Sequence, residues 1–285
     1  MSTRELTAAP STLSLYSRAV MGAISGKNGK DLPDLTLVLK GLQIDRDHLT
    51  QYNRVCGFPQ RDTIPATFPF ILAFPLHMDL FTDPSFPFSA MGLVHVTNSI
   101  TQHRPIKASE VLDVTVRLGA LRPHDKGVLI PVLTDVRVAG ELVWSSESVM
   151  LRRGKPSGEA KPAAAKAAAE PTTKPVVQWI IPGDIGRRYG AVSGDRNPIH
   201  LYGFTAKLFG FPRAIAHGMW TKARCLAALD GRLPDTFTVD VQFKLPVLLP
   251  AKVAFNSNQE ANGDFEFSLS DFKSGKPHLA GRVTA

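Results

Sequence analysis

The chain has 285 residues, of which 44% are hydrophobic and 20% charged, so it can form two domains of about 140 residues each or one large one. Its two cysteines, Cys56 and Cys225, lie far apart without metal-ligand spacing. This argues against a disulfide scaffold and a zinc site, and favours the cytoplasm. The net charge of +8 permits an acidic partner, but the basic residues are dispersed, which argues against nucleic-acid binding.

The first 30 residues show no continuous apolar run of signal-peptide length, and we assign 1–30 to an N-terminal extension. Within it, LSLYSRAVMGAI (13–24) has the pattern of a short amphipathic helix, resting on a membrane surface or, as we expect, on the protein itself. The most apolar stretch, IPATFPFILAFPLHMDLF (64–81), carries three prolines and is too broken to span a bilayer. We therefore predict a buried helix there and no stable membrane insertion.

A change of composition divides the chain. Residues 154–175, GKPSGEAKPAAAKAAAEPTTKP, are dominated by Ala, Pro and Lys and lack large aliphatic and aromatic side chains. Such a segment cannot bury a core face, which predicts an interdomain linker. The predicted domains are then 31–153 and 176–285.

The two halves share a weak internal repeat. IDRDHLTQYNRVCGF (44–58) and IPGDIGRRYGAVSGD (181–195) agree at an isoleucine, aspartate, tyrosine, valine and glycine, at a constant offset of 137 residues. Phe58 stands where the second half has Asp195, and the first half has no match for His200. The polar residues around Asp195 also suit a simple turn and helix cap. Because the first copy keeps the apolar frame without them, we interpret them as chemical.

Each half has the pattern of a strand, a turn region, an apolar helix and then several strands. In the second half the helix is HGMWTKARCLAALDG (217–231), and alternating runs such as FTVDVQFKL and DFEFSLSD follow it. This order predicts an α+β fold with a curved antiparallel sheet around one central helix in each half.

Three blocks of the second half resemble the MaoC-like, (R)-specific enoyl-thioester hydratases. YGAVSGDRNPIH (189–200) resembles the hydratase motif, an aromatic followed by S/T-G-D-x-N-P-L/I-H; FGFPRAIAHGM (209–219) resembles the block that ends in H-G-M. FKLPVLLPAKV (243–253) resembles the third block. The layout, with a first half that lacks the motif, is similar to actinobacterial (3R)-hydroxyacyl-thioester dehydratases of the double-hotdog type. The resemblance implies two tandem hotdog domains, the first degenerate and the second catalytic.

The resemblance also implies an activity, the reversible dehydration of (3R)-hydroxyacyl thioesters to trans-2-enoyl thioesters in fatty-acid metabolism. This hydro-lyase reaction would act on acyl carrier protein or coenzyme A esters, without a metal or other cofactor. The resemblance places catalysis on Asp195 and His200, and an oxyanion-stabilising N–H on Gly218, where the apolar helix begins. We expect Asn197 to fix the turn and to contact substrate or Asp195. His217 either contacts substrate or packs at the helix start.

Two other functions stay open at this point, a hotdog thioesterase and a non-catalytic acyl-thioester binding subunit. The thioesterase class typically uses an acidic residue on its central helix, and MWTKARCLAAL (219–229) contains none. The retained Asp195 and His200 argue against a binding subunit. The Phe-rich stretch 68–88 either shapes an acyl channel or packs in the core. The chain is expected to be a monomer, with its halves as a pseudo-dimer, or a homodimer.

Overall fold

The computed structural model describes residues 2–24, 31–157 and 177–285, so most of the predicted linker 154–175 lies outside the described residues. The helices are α1 (Thr12–Ile24), α2 (Arg46–Cys56), α3 (Phe68–Thr82), α4 (Ile185–Ser193), α5 (Pro198–Leu201), α6 (Gly203–Leu208) and α7 (Gly218–Ala228). The strands are β1 (Ser2–Leu6), β2 (Leu35–Gln43), β3 (Leu93–Gln102), β4 (Val111–Leu118), β5 (Arg122–His124), β6 (Gly127–Val138), β7 (Glu141–Arg153), β8 (Val177–Ile181), β9 (Phe237–Phe243), β10 (Ala251–Gln259), β11 (Phe265–Asp271) and β12 (Pro277–Thr284).

The described strands form one sheet, in which β3 pairs antiparallel with β9 and joins the two halves. Outward from this junction the order is β7, β6, β4, β2 in the first half and β12, β11, β10, β8 in the second. The two halves therefore repeat one connectivity on opposite sides of the junction, as the internal repeat predicts. The pairing within each half is antiparallel, apart from β1, which adds to β2 as a parallel edge strand.

One helix packs against the strands of each half, α3 in the first and α7 in the second. The predicted buried helix is confirmed as α3, whose Phe68, Ile71, Leu76 and Leu80 are at most 3% exposed. The Phe-rich stretch 68–88 contributes several side chains to the continuous hydrophobic core, which favours core packing over an acyl channel. Among the described residues, no helix combines the length and the apolar character needed to cross a membrane.

Lys222 on α7 fastens this helix to the junction between the halves. Its side chain is fully buried, and Nζ donates to Oδ1 and the carbonyl of Asn98 on β3 (2.6 and 3.2 Å) and to the carbonyl of Val239 on β9 (3.0 Å). Burial lowers the pKa of Lys222, while the carboxylate of Asp240 opposes the shift. Three oxygen acceptors surround the amino group, so Lys222 ties α7 to both strands of the junction through hydrogen bonds.

We expect Lys222→Met to lower the free energy of unfolding by about 1–3 kcal/mol, because the buried Asn98 side-chain oxygen loses its donor. Denaturant unfolding of the full chain measures this change. Lys207→Met, at an exposed position on α6, is the matched control and is expected to be close to neutral. Equal stability of the two variants would show that the hydrogen bonds of the Lys222 amino group contribute nothing to the junction.

Candidate active site

The polar turn after α4 is fixed by backbone geometry and by hydrogen bonds to Asp195. Gly194 ends α4 with a φ of +74°, a left-handed conformation that glycine adopts without strain. Oδ1 of Asp195 then accepts hydrogen bonds from the Asn197 N–H (3.2 Å) and from the Tyr16 hydroxyl (3.0 Å). Asn197 is the N-cap of α5, where its side-chain oxygen accepts from the Ile199 N–H at 3.3 Å. Asn197 thus holds the turn and Asp195 together.

Two glycines four residues apart let α4 lie directly against this turn. A Cβ on Gly186 would stand 2.0 Å from the backbone oxygen of His200, and a Cβ on Gly190 would stand 2.9 Å from that of Asp195. Only residues without a side chain permit such an approach of two backbones. The local sequence GRRYG therefore sets the distance between α4 and the segment that carries Asp195 and His200.

His200 lies on α5 with its side chain buried. Its Nδ1 lies 2.8 Å from the carbonyl oxygen of Ile215. Because a carbonyl only accepts, Nδ1 carries the hydrogen and Nε2 of the neutral ring holds a lone pair. Burial lowers the pKa of His200, and Asp195 and the Ile215 carbonyl only partly offset this. The ring is therefore neutral at pH 7 and can accept a proton at Nε2.

His217 occupies the N-cap position of α7, but its side chain makes no capping hydrogen bond. Instead its Nε2 donates to the backbone oxygen of Asp195 at 2.9 Å and lies 3.8 Å from Oδ2 of the same residue. The ring stacks on that of His200 with centroids 3.7 Å apart. Burial, aided by His200, lowers the pKa of His217 to about 3, so this ring is neutral as well. It holds Asp195 in place from the helix start.

The Asp195 carboxylate is ionised at neutral pH. Burial alone would raise its pKa, but the imidazoles of His217 and His200 and the hydrogen bonds from the Asn197 N–H and the Tyr16 hydroxyl outweigh burial, and the pKa is lowered. The side chain is 28% exposed, so a ligand can reach it. The site therefore offers a carboxylate that accepts hydrogen bonds next to an imidazole that accepts a proton.

One ligand atom each of Asp195, His200 and His217 lies within 4.8 Å of the others, a spacing that a metal ion also accepts. In this arrangement Nδ1 of His200 and Nε2 of His217 carry hydrogens that point at carbonyls, so neither can ligate a cation. The same spacing leaves room for a water or a substrate hydroxyl among these three side chains. The absence of a metal or cofactor stays a prediction.

Gly218 begins α7 directly after His217, so its N–H has no acceptor within the helix. The ring of Phe243 packs at the glycine, 3.1 Å from where a Cβ would be. A bare N–H at the positive end of a helix dipole is suited to a developing negative charge. The structure brings this donor next to His217, which contacts both Asp195 and His200.

The sequence alone predicts no role for Tyr16, Gly186 or Gly190. Tyr16 is separated from Asp195 by 179 residues, and no local pattern marks the contact. The two glycines could have been recognised from the internal repeat, because the first half has Leu49 and Asn53 at the corresponding positions. That half has no Asp-His turn, and its helix has no need of glycine there.

The chain is similar in sequence and in structure to known proteins. The MaoC like domain family matches residues 164–280. The 3-hydroxyacyl-thioester dehydratase X of Mycobacterium tuberculosis is 40% identical over 277 residues, which cover 96% of this chain and 98% of that protein. The crystal structure of HtdX from the same organism aligns with a TM-score of 0.76 and 38% identity, over 87% of this chain and 98% of that one.

A MaoC-like dehydratase from Phytophthora capsici, 19% identical, aligns with a TM-score of 0.72 over 89% of this chain and 95% of that one, and so shares the fold. Together with the antiparallel sheet and the two central helices, these similarities confirm the predicted α+β fold of two hotdog units.

Proposed function

The chain belongs to the MaoC-like family of hydroxyacyl-thioester dehydratases, and on that premise we propose that it converts (3R)-hydroxyacyl thioesters to trans-2-enoyl thioesters in fatty-acid metabolism, and hydrates them in reverse. The observation that carries the proposal is the pairing of an ionised Asp195 with a neutral His200 whose Nε2 is not used by the Ile215 carbonyl. Dehydration needs one group to move a proton and one to orient the departing hydroxyl.

In the dehydration direction, Nε2 of His200 takes the proton from C2 of the substrate. The C2–H electron pair forms the new double bond as the C3–O bond breaks. The resulting imidazolium gives its proton to the departing hydroxyl, so water leaves and the ring returns to its neutral form. Asp195 cannot donate this proton because it is ionised, so it orients the hydroxyl by accepting its hydrogen bond. Hydration runs through the same groups in reverse.

Loss of the C2 proton places negative charge on the thioester oxygen. We assign the stabilisation of this charge to the Gly218 N–H at the start of α7, supported by the helix dipole. His217 and Asn197 keep the carboxylate of Asp195 in position. Nδ1 of His217 is buried and has no hydrogen-bond partner among the described residues, so we further assign it a contact with the bound substrate.

The direct test is turnover of a short trans-2-enoyl coenzyme A ester, crotonyl coenzyme A, by the purified full chain, with the hydroxyl configuration of the product determined. We expect the (3R) product. Release of free thiol without hydration would favour a thioesterase, although α7 carries no acidic residue. Tight binding without turnover would favour a binding subunit. Either outcome would overturn the proposal.

A basic cleft in the second half is suited to the anionic part of the substrate. Its volume is about 490 Å³, and Arg213 and Leu248 are among its lining residues. The segment after Arg213 runs to His217 and Gly218, and on the way Ala216 donates to the carbonyl of Val247 and Ala214 accepts from the Leu249 N–H. The charged and titratable residues that line the cleft are Arg213, Lys252, Lys273, Lys276, His278 and Asp271. We propose that the phosphates of coenzyme A or the acidic surface of an acyl carrier protein bind here.

We expect the double substitution Lys252→Gln and Lys276→Gln to raise KM about tenfold at low salt and to leave kcat unchanged, because the cleft attracts the carrier and takes no part in the chemistry. The difference should shrink at high salt, where exposed charges are screened. Lys126→Gln, in the first half, is the control. A KM that does not depend on salt or on these lysines, with either carrier, would remove the cleft as the carrier site.

Both cysteines are unpaired and buried, which supports the proposal that the enzyme works in the reducing cytoplasm. The number of chains in the assembly, one or two, stays a prediction.

A further inference from the structure

The N-terminal helix α1 lies at the active site of the second half, although it packs on the first. Leu15 and Ala19 are buried, at 1% and 2% exposure, and α1 packs against α3, the central helix of the first half. Between these two residues, Tyr16 contacts Asp195. We propose that the segment 2–24 completes the active site and that Tyr16 is a positioning residue for the Asp195 carboxylate. This inference rests on the proposed function.

The hydrogen-bond directions at Tyr16 are fixed by its two partners. The Arg196 backbone N–H, 2.7 Å from the Tyr16 hydroxyl oxygen, can only donate, and the Asp195 carboxylate, 3.0 Å away, can only accept. The hydroxyl hydrogen is therefore directed at Oδ1 of Asp195. Burial, together with the charge of Asp195, raises the pKa of Tyr16 well above its usual range, so the hydroxyl remains a donor throughout the working pH range. It ties both Asp195 and the next residue to α1.

Two arginines clamp the N-terminal segment to the first half. Arg18 on α1 bridges Asp79 at 2.6 Å, while Arg4 on β1 reaches Asp79 at 3.2 Å and Asp83 at 2.7 Å. The two carboxylates, at the end of α3, are only 6% and 10% exposed, whereas the Arg4 and Arg18 side chains are 42% and 32% exposed. Each arginine therefore reaches from the partly solvated N-terminal segment to a buried carboxylate of the first half. The first half, which lacks the Asp-His pair, thus supports α1 and holds Tyr16 against the second half. We call Asp79 and Asp83, with the part of α3 that carries them, the platform for Tyr16.

The groups around Asp195 determine the pKa of its carboxyl, so the positioning role of Tyr16 can be measured through that pKa. Tyr16 faces the carboxylate from α1, His200 faces it from α5 and His217 from the start of α7; Tyr189, on α4, and His95, on β3, lie further out. Without the Tyr16 hydroxyl, Oδ1 keeps only the Asn197 N–H as a donor from the described residues. The carboxylate would then be less stabilised relative to its protonated form, so the carboxyl pKa would rise.

We expect Tyr16→Phe to lower kcat about tenfold at neutral pH with KM within about twofold. The acid limb of the kcat/KM profile contains two ionisations, those of His200 and Asp195, and we expect the one at lower pH, that of Asp195, to shift up by about one pH unit. The sign follows because a carboxyl with a raised pKa is protonated, and the activity lost, at a higher pH as the pH falls. A purely structural role for Tyr16 would lower activity without moving the acid limb. Ser17→Ala is the matched control, because the Ser17 hydroxyl donates to the Ser14 carbonyl on the same helix.

A second variant tests the platform. Asp79→Asn removes the carboxylate that both arginines share and should shift the acid limb in the same direction. Combined with Tyr16→Phe, its effect should be less than additive, because both act through one contact. An unmoved acid limb in Tyr16→Phe, or fully additive losses in the double variant, would overturn the inference. Activity retained by Asp195→Asn would instead overturn the proposed function itself, so the two failures are distinguishable.

Discussion

Asp195→Asn and His200→Ala should each lower kcat by at least about a hundredfold while the protein stays folded. The asparagine keeps the size of the side chain but loses the charge that orients the departing hydroxyl. The alanine removes Nε2, the nitrogen that accepts the C2 proton, while Asp195 keeps its hydrogen bonds from Tyr16 and Asn197. Steady-state rates on a hydroxyacyl or enoyl thioester measure both losses.

The controls for these variants replace the same residue types away from the turn. Asp184→Asn alters a carboxylate at the start of α4 that makes no capping hydrogen bond. His103→Ala alters an exposed histidine of the first half that bonds Ser145. Both should retain near-native rates. Native turnover in Asp195→Asn or His200→Ala would remove the catalytic assignment, and circular dichroism distinguishes inactivity from unfolding.

Gly186→Ala should be the most damaging single-methyl change at this site. The added carbon would stand 2.0 Å from the backbone oxygen of His200, so α4 and α5 must move apart by more than 1 Å. Overpacking of this kind costs about 1–3 kcal/mol of stability, and a misplacement of about 1 Å costs about a hundredfold in rate. We expect a loss in both, measured by denaturant unfolding and by kcat.

The direction of this effect is opposite to that expected from helix propensity, since alanine in place of glycine within a helix normally stabilises by about 1 kcal/mol. Gly203→Ala at the start of α6 is the matched control, because its added Cβ would meet no atom within 4 Å. Should Gly186→Ala prove as stable and as active as Gly203→Ala, the close contact between α4 and α5 would have no part in positioning His200.

Much of the fold, and the closeness of Asp195 to His200, could be predicted because the sequence patterns that indicate them lie within short segments. The spacing of Asp195, Asn197 and His200 lies within one turn, and the alternating strands and the apolar run of α3 are local patterns. The repeat between 44–58 and 181–195 predicts two similar halves, and the sheet order shows them. The hotdog fold itself came from the resemblance to a family.

The remaining contacts of the site depend on how segments that are far apart in the sequence pack together. Asn197 was expected to fix the turn, and its backbone does bond Asp195, but His217 binds the Asp195 backbone rather than capping α7. The contact of Tyr16 with Asp195 requires α1 to lie on α3, which in turn depends on ion pairs between residues about 60 to 80 positions apart. Single charged residues carry no information about which distant partner they meet, so this part of the site follows only from the tertiary structure.

The junction between β3 and β9 has a consequence for the enzyme at low concentration. Two separate hotdog subunits joined by such a strand pair would come apart on dilution, since their association depends on protomer concentration. Here both strands belong to one chain, and Lys222 bonds both of them. The first half, which supports Tyr16, therefore stays joined to the second half, which carries Asp195 and His200, at any enzyme concentration. Dilution across this junction does not lower the specific activity.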